Sequence, residues 1–443
     1  MTTTPDARTG PPPARGRWDR TTVTLLAGFF CGTGGAATLV TALGKQVYDL
    51  SGRELDLGLL GLAEFAPAAL LVLVTGTVAD RCDRRRVASL ASLGEAAAAL
   101  AILAYVGSSP TAVGPLFALV LALGVARAFV APAARSLPAD LFPDDRLPWV
   151  TARWTITFQV SLIAGPVLAG SLYAVDVRAP FAAAVGLFLV AALAFRLIPA
   201  PSRPAPAVTR RPPGPVPPGA AGRLHEALEG LRFIRRQPIL LGAISLDLFA
   251  VLFGGAVALL PAIAEERLGV GAVGFGWLRA ATGIGAASVM LVLAVRPIRR
   301  HVGPALLAAV ALFGAATVVL GVTRSYAVAF VAVLVLAGAD ALSVFIRITL
   351  VPLVTPSAAR GRVLAVENVF IGASNELGAF ESGVTGQLLG PGPAVALGGV
   401  ATLAVAATWW RLFPALRAVD RFPTRQPPAG DEAAGHVTPA AGP

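Results

Sequence analysis

Nine ionisable side chains lie inside otherwise apolar stretches: Glu64, Glu95, Arg127, Asp247, Arg279, Asp340, Glu367, Glu376 and Glu381. In hydrocarbon each such group costs roughly 2.5 to 3.5 kcal/mol on insertion scales, so those that persist face a cavity or one another. Their chemistry is proton uptake and release, with arginine as the fixed counter-charge. Asn375 and Glu376 stand near the middle of one apolar stretch, and Glu381 follows 5 residues on, about 140° around a helix that turns 100° per residue. Both carboxylates cannot face the same cavity. One is expected to line the pathway as a protonatable site coupled to substrate release, beside Asn375, and the other to contact a neighbouring helix. Glu376 is the favoured carrier, with Glu64 and Asp340 as rivals. No metal-ligand spacing, phosphate-binding glycine loop or nucleophile with a nearby base occurs, so neither an enzyme nor an ATP-driven pump is expected, and no cofactor or metal.

The elements that position these charges follow from composition. Of 443 residues 56% are hydrophobic and 14% charged, and the mean hydropathy is +0.73; the bilayer is the expected solvent. The net charge of +11 does not point to nucleic acid, because the arginines stand in short clusters between apolar runs. A spanning helix needs about 20 apolar residues. Twelve windows meet that need: 22–45, 57–79, 87–107, 112–134, 150–174, 179–196, 238–263, 270–295, 302–322, 326–350, 362–390 and 392–412. Basic residues near span ends stay cytoplasmic. Of the 36 Lys and Arg, 26 fall in the tails and the loops on their side, against 4 (Arg53, Arg178, Arg267 and Arg324) in the opposite loops. Both termini are therefore expected inside.

Residues 200–222, APSRPAPAVTRRPPGPVPPGAAG, are proline-rich and read as a linker. The stretch after it places Leu224, Leu228, Leu231 and Ile234 on one helical face, which suits a helix on the inner leaflet or a soluble helix. The chain divides into a cytoplasmic tail at 1–21, a six-helix bundle at 22–199, linker and amphipathic helix at 200–237, a second bundle at 238–416, and a tail at 417–443.

The bundles keep register at an offset of 213 residues. Gly58 and Gly61 match Gly271 and Gly274, and Pro143, Gly165 and Gly170 match Pro356, Gly378 and Gly383. The expected fold is thus an all-α integral membrane protein of twelve transmembrane helices in two pseudo-symmetric six-helix bundles, with the substrate site between them at the midplane. Arg127 and Asp340 are mates under the same offset, opposite in sign.

GTVADRCDRRRV at 76–87 resembles the signature loop between spans 2 and 3 of the major facilitator superfamily, and RPIRRH at 296–301 stands in the mirror loop. The resemblance implies that Gly76 permits close helix contact and that Asp80 faces a helix N-terminus of the opposite half while pairing with Arg84. It implies further that Arg81 and Arg85 anchor the loop and that Asp140 joins the group. Where the family has a glycine before that arginine, this chain has Asp83. SLIAGPVLAG at 161–170 is similar to the superfamily's antiporter motif around Gly165, Pro166 and Gly170, implying an exporter whose span 5 seals one face; ordinary small-residue packing is the alternative. Arg127 fits the span-4 arginine for which proton coupling has been proposed; the alternative is a static structural pair that keeps a helix in place.

QVYDLSG at 46–52, ARAFVAPAARSLP at 126–138, EGLRFIRRQP at 229–238 and VENVFIGASNELGAFESG at 366–383 look like the drug and siderophore exporter branch, which contains bacterial enterobactin exporters. This implies secondary active, proton-driven export of a small organic molecule across a bacterial plasma membrane by a monomer, with the proton gradient as its energy source. Uptake or lipid flipping on the same fold, or a polytopic sensor, are the alternatives.

Overall fold

The computed structural model describes residues 18–199 and 220–423, without the side chains of 72, 73, 77, 79, 80, 220–227 and 358. The expectations placed on the proline-rich linker, on most of both tails and on the Asp80 side chain lie outside the described residues.

What is described is helical, without a strand. The first half comprises α1 (Arg20–Ser51), α2 (Glu54–Arg81), α3 (Arg84–Gly107), α4 (Gly114–Leu141), α5 (Leu147–Tyr173) and α6 (Ala179–Leu197). After α7 (Ala220–Arg236), the second half contains α8 (Pro238–Phe253), the short α9 (Leu260–Ala262), α10 (Ala272–Val295), α11 (Val302–Val322), α12 (Tyr326–Val354), α13 (Ser357–Leu389), α14 (Pro391–Leu412) and α15 (Pro414–Arg417). Asp19 caps α1, accepting from the Thr22 amide at 2.8 Å, and Gly52 ends that helix at a φ of 58° that favours glycine.

Ten of the described helical segments are long and apolar enough to cross a membrane. The two remaining long helices are α2 and α13, which hold Glu64 and the trio Glu367, Glu376 and Glu381. Their charge has a structural reason, because both lie on the seam between the halves rather than against lipid. A Cβ on Gly383 of α13 would lie 3.0 Å from the Gly58 Cα of α2, and one on Gly58 2.9 Å from the Phe380 Cα. The second crossing, α5 on α10, is the pseudo-symmetry mate of the first. There a Cβ on Gly170 would come 2.4 Å from the Ala272 carbonyl oxygen and 2.8 Å from the Gly276 Cα. Backbones this close exclude a side chain larger than hydrogen.

Within the first half, Phe181, Phe188 and Phe195 recur every seven residues on α6 and are fully buried. Gly28 and Gly35 on α1 leave room for the rings of Phe195 and Phe188.

One expectation needs correction. The seventh span is not one continuous helix: α8 stops at Phe253, and the chain continues from Ala256 through a 3-10 turn, α9 and a π turn ending at Arg267. Gly254 and Gly255 sit at the break, and Gly255 packs where a Cβ would lie 2.4 Å from the Gly378 carbonyl oxygen. Irregular backbone at membrane depth is tolerated because protein surrounds it. The amphipathic α7, for its part, is held by protein: Ile234 is buried with Leu240, Ile244, Val351, Val363 and Val366. A Cβ on Gly230 would be 2.9 Å from the Arg362 carbonyl oxygen, and Arg362 pairs with Glu229. The C-terminal end of its apolar face is therefore packed on protein, while Leu228 stays 44% exposed.

Candidate functional site

At the seam, Arg127 of α4 stands 3.9 Å from Glu64 of α2. Arg127 also acts electrostatically on Glu95 of α3 and Glu376 of α13, and Arg279 of α10 acts on Glu64. Glu376 reaches across the halves: its Oε2 lies 2.8 Å from where a Cβ on Gly61 would stand. Gly61, a repeat landmark in the sequence, thus makes room for a carboxylate of the other half. Arg279 donates to the Val257 carbonyl at 3.4 Å, in the 3-10 turn that follows the break after α8. One oxygen each of Glu64 and Glu95 is buried without a hydrogen-bond partner. Beside the cluster is a cavity of about 260 Å³ lined by Phe29, Thr33, Glu95, Arg127, Trp154 and Phe158. Phe29 stacks on Trp154 with centroids 3.6 Å apart, giving the cavity a flat aromatic wall next to a cation.

Asn375 is exposed and donates to the Ile371 carbonyl of its own helix at 2.8 Å. Glu381 is half-buried beside Ser382, and its backbone carbonyl accepts from Thr385 at 2.9 Å. Glu376, not Glu381, therefore joins the arginine cluster.

The second half has its own charge group. Arg347 of α12 and Asp247 of α8 form a 2.6 Å ion pair whose side chains are 2% and 7% exposed. Asp340 and Glu367 are electrostatic neighbours of both, and one Glu367 oxygen and the Arg347 Nε are buried without a partner. Arg127 and Asp340 thus lie in separate charge groups.

At the loop between α2 and α3, Arg84 holds both oxygens of Asp140, at 2.6 and 2.7 Å. Arg85 donates to the Ile198 carbonyl at 2.9 Å, tying α3 to the end of α6, and Arg81 is exposed. Among the described residues, a Cβ on Gly76 would meet no atom within 4 Å, so the close helix contact expected there is not made among them in this conformation. Asp83, standing where the family has glycine, caps α3 instead: it accepts from the Arg85 amide at 3.0 Å and from the Arg85 guanidinium at 2.6 Å. Its φ of −61° needs no glycine. The Arg85 hydrogen bonds hold its carboxyl below the usual aspartate range. The cap's contribution is therefore complete above the ordinary aspartate pKa and fades as pH falls through the depressed value. Asp83→Ala is expected to cost ~1 kcal/mol, read as a lower melting temperature of the detergent-solubilised protein at neutral pH.

Side-chain bonds that join the halves are found at the end remote from these arginines. Lys45 pairs with Asp49 and, across the halves at 2.9 Å, with Glu265; Tyr48 donates to Glu266. Tyr173 donates to Asp49 at 2.7 Å, adding α5 to the group. Deeper along α5, Gln159 donates to the Gly283 carbonyl of α10 at 2.7 Å. The glycines of span 5 divide the work: a Cβ on Gly165 would strike Ala37 of α1 at 2.5 Å, whereas Gly170 meets α10. Pro166 is buried inside α5 between them. This end is closed.

The family model for the Major Facilitator Superfamily matches residues 24–379. The chain belongs to that superfamily. A member of this family with ten described helices long and apolar enough to cross a membrane is a multi-pass membrane protein. It is 27% identical over 290 residues to the MFS-type transporter YfiS of Bacillus subtilis strain 168, itself uncharacterized, and the match covers 64% of each chain. Among solved structures it resembles a bacterial homologue of the human lysosomal transporter Spinster in an inward-facing, occupied conformation. That match has a TM-score of 0.65 at 15% identity and covers 89% of this chain and 95% of that one. It also resembles the nucleoside transporter NupG, with a TM-score of 0.66 at 13% identity, covering 89% of this chain and 100% of that one. At these identities the structures establish the fold.

Within this superfamily member, the sequence had singled out Arg127, Glu64 and Glu376, and the fold brings them together. It had marked Glu95, Arg279, Asp247 and Glu367 as charges inside apolar runs without assigning them work. Their signal was polarity inside an apolar run; their partners, such as Asp247 and Arg347 exactly 100 residues apart in chain number, are set by helix packing and not by spacing.

Proposed function

We propose that this transporter exports drug-like or siderophore-like organic molecules from a bacterial cell by proton-coupled alternating access, with its arginine-rich end and both termini cytoplasmic. The observation that carries the reading is the seam cluster, in which Glu64, Glu95 and Glu376 face the two guanidinium groups of Arg127 and Arg279. Three carboxylates against two cations leave one negative charge in excess in a place where uncompensated charge is costly. A proton on one of them balances the group. Because Glu376 comes from one half and Glu64 and Arg127 from the other, opening the seam changes which carboxylate Arg127 serves. That links protonation to the conformational cycle.

The neighbouring aromatic cavity supports a small organic substrate, and the arginine distribution supports the orientation. The span-5 motif and the likeness of 366–383 to the exporter branch support outward movement of a siderophore or drug. Transport of dyes and siderophores from an efflux-deficient bacterium expressing this chain should collapse on adding a protonophore. In proteoliposomes, Glu376→Gln should lower proton-driven transport by roughly tenfold to a hundredfold and flatten its pH dependence. Unaltered rate and pH dependence would remove Glu376 from the coupling scheme, and transport indifferent to the protonophore would remove the scheme itself.

A further inference from the structure

A cavity of about 570 Å³ lies outside the charge cluster. It is a groove between α3 and α6, lined by Arg86, Leu90 and Leu93 on one side and Leu189, Leu193 and Arg196 on the other. The two helices run antiparallel, and each presents one arginine followed by two leucines at intervals of three and four residues, one face of a helix. Both arginines are at the loop end: Arg86 opens α3 and Arg196 closes α6. The leucines then run inward for about 10 Å at 1.5 Å per residue. Ser89 donates to the Ala192 carbonyl at 2.9 Å and closes the floor.

The repeat supplies an internal control. At the offset of 213, Leu90, Leu93, Leu189 and Leu193 correspond to Gly303, Leu306, Thr402 and Ala406. In the second half that face is covered. Gly303 is buried so closely beneath the Leu416 carbonyl that a Cβ would lie 1.9 Å from its oxygen. The amides of Val302 and Gly303 donate to the carbonyls of Asp420 and Val419, and Leu306, Thr402 and Ala406 are 0%, 0% and 5% exposed. In the first half the four leucines are 68%, 44%, 48% and 58% exposed.

We infer that the α3/α6 groove is a binding site for an anionic phospholipid, its phosphate between Arg86 and Arg196 and an acyl chain along the leucines. Charge selects this occupant. Arg86 has only a 3.8 Å pairing with Asp83, whose other contacts go to Arg85, and Arg196 is exposed. The chain's own segment 200–222 carries Arg203, Arg210 and Arg211 and no acidic residue, so it would bring positive charge to positive charge. A second copy of the same groove would do likewise. Basic pockets between membrane helices hold acidic headgroups, each arginine contributing about 1 kcal/mol.

The test is native mass spectrometry of the purified full-length transporter with dioleoyl phosphatidylglycerol or dioleoyl phosphatidylcholine. The wild type should retain phosphatidylglycerol preferentially. Replacing both Arg86→Ala and Arg196→Ala should weaken its binding roughly 30-fold, leave phosphatidylcholine adducts unchanged and keep the melting temperature. Arg86→Lys with Arg196→Lys should recover most of the preference, and glycerol phosphate, which lacks acyl chains, should not displace the lipid. Equal retention of the two lipids by the wild type, selectivity that survives both alanines, or displacement by glycerol phosphate would each overturn the assignment. So would cross-linking of a cysteine placed at Leu93 to the chain's own linker or to a second copy.

Discussion

Arg347→Ala is expected to destabilise the transporter by about 3–5 kcal/mol, the range for breaking a buried ion pair by removing one partner. Arg347 is 2% exposed, Asp247 is 2.6 Å from it, and Asp340 and Glu367 are charged neighbours with no second described cation in their group. Loss of the guanidinium leaves three carboxylates facing one another in a place where water cannot solvate them. Asp247→Asn alone should cost less, because the arginine keeps Asp340 and Glu367. Adding Asp247→Asn to Arg347→Ala should recover much of the loss by removing the charge left unpaired. Thermal unfolding of the detergent-solubilised variants checks this; a single Arg347→Ala variant as stable as the wild type would show that the pair is not the anchor of the second bundle.

The other large effect is expected at Gly170. A Cβ there would meet the Ala272 carbonyl oxygen at 2.4 Å and the Gly276 Cα at 2.8 Å. Both are backbone atoms, so no rotamer change relieves the clash, and α5 must withdraw from α10. Gly170→Val should therefore penalise the conformation closed at this end by about 1–3 kcal/mol, a 5- to 150-fold shift in the equilibrium between conformers. The Lys45–Glu265 and Tyr48–Glu266 bonds, which join the halves at this end, would open with it. Transport should fall in proportion, while the melting temperature changes by less than for Arg347→Ala. A cysteine cross-link between positions 45 and 265 that forms as readily in Gly170→Val as in the otherwise wild-type protein would contradict the assignment.

Much of the architecture was legible because a spanning helix and a duplicated bundle leave long-period marks. Twelve apolar windows, a one-sided arginine distribution and five landmarks at one offset each repeat many times over the chain. Even the departures carried information: α2 and α13 look poorest as membrane spans because they carry Glu64 and the trio Glu367, Glu376 and Glu381. What the residues could not reveal was which charges meet. Glu64 and Glu376 are brought together by Gly58, Gly61 and Gly383, three glycines readable only as repeat marks. The break at Gly254 and Gly255 was hidden because the run from 238 to 263 is apolar throughout, and hydropathy is blind to a backbone that stops hydrogen-bonding to itself. Asp83 showed only as a departure from the family's glycine, yet a residue that accepts from the amide two positions on is a good cap.

The central claim is that the two bundles rock about the Glu64–Arg127–Glu376 seam, so that one end closes as the other opens. Double electron-electron resonance between spin labels at 82 and 299 reports the arginine-rich end, and between labels at 175 and 324 the opposite end, in protein reconstituted at neutral and at acidic pH. On shifting pH or adding a transported compound, the first distance should shorten as the second lengthens, and Glu376→Gln should fix the pair in one arrangement regardless of pH. Distances that change together at both ends, or that do not respond at either, would contradict the account.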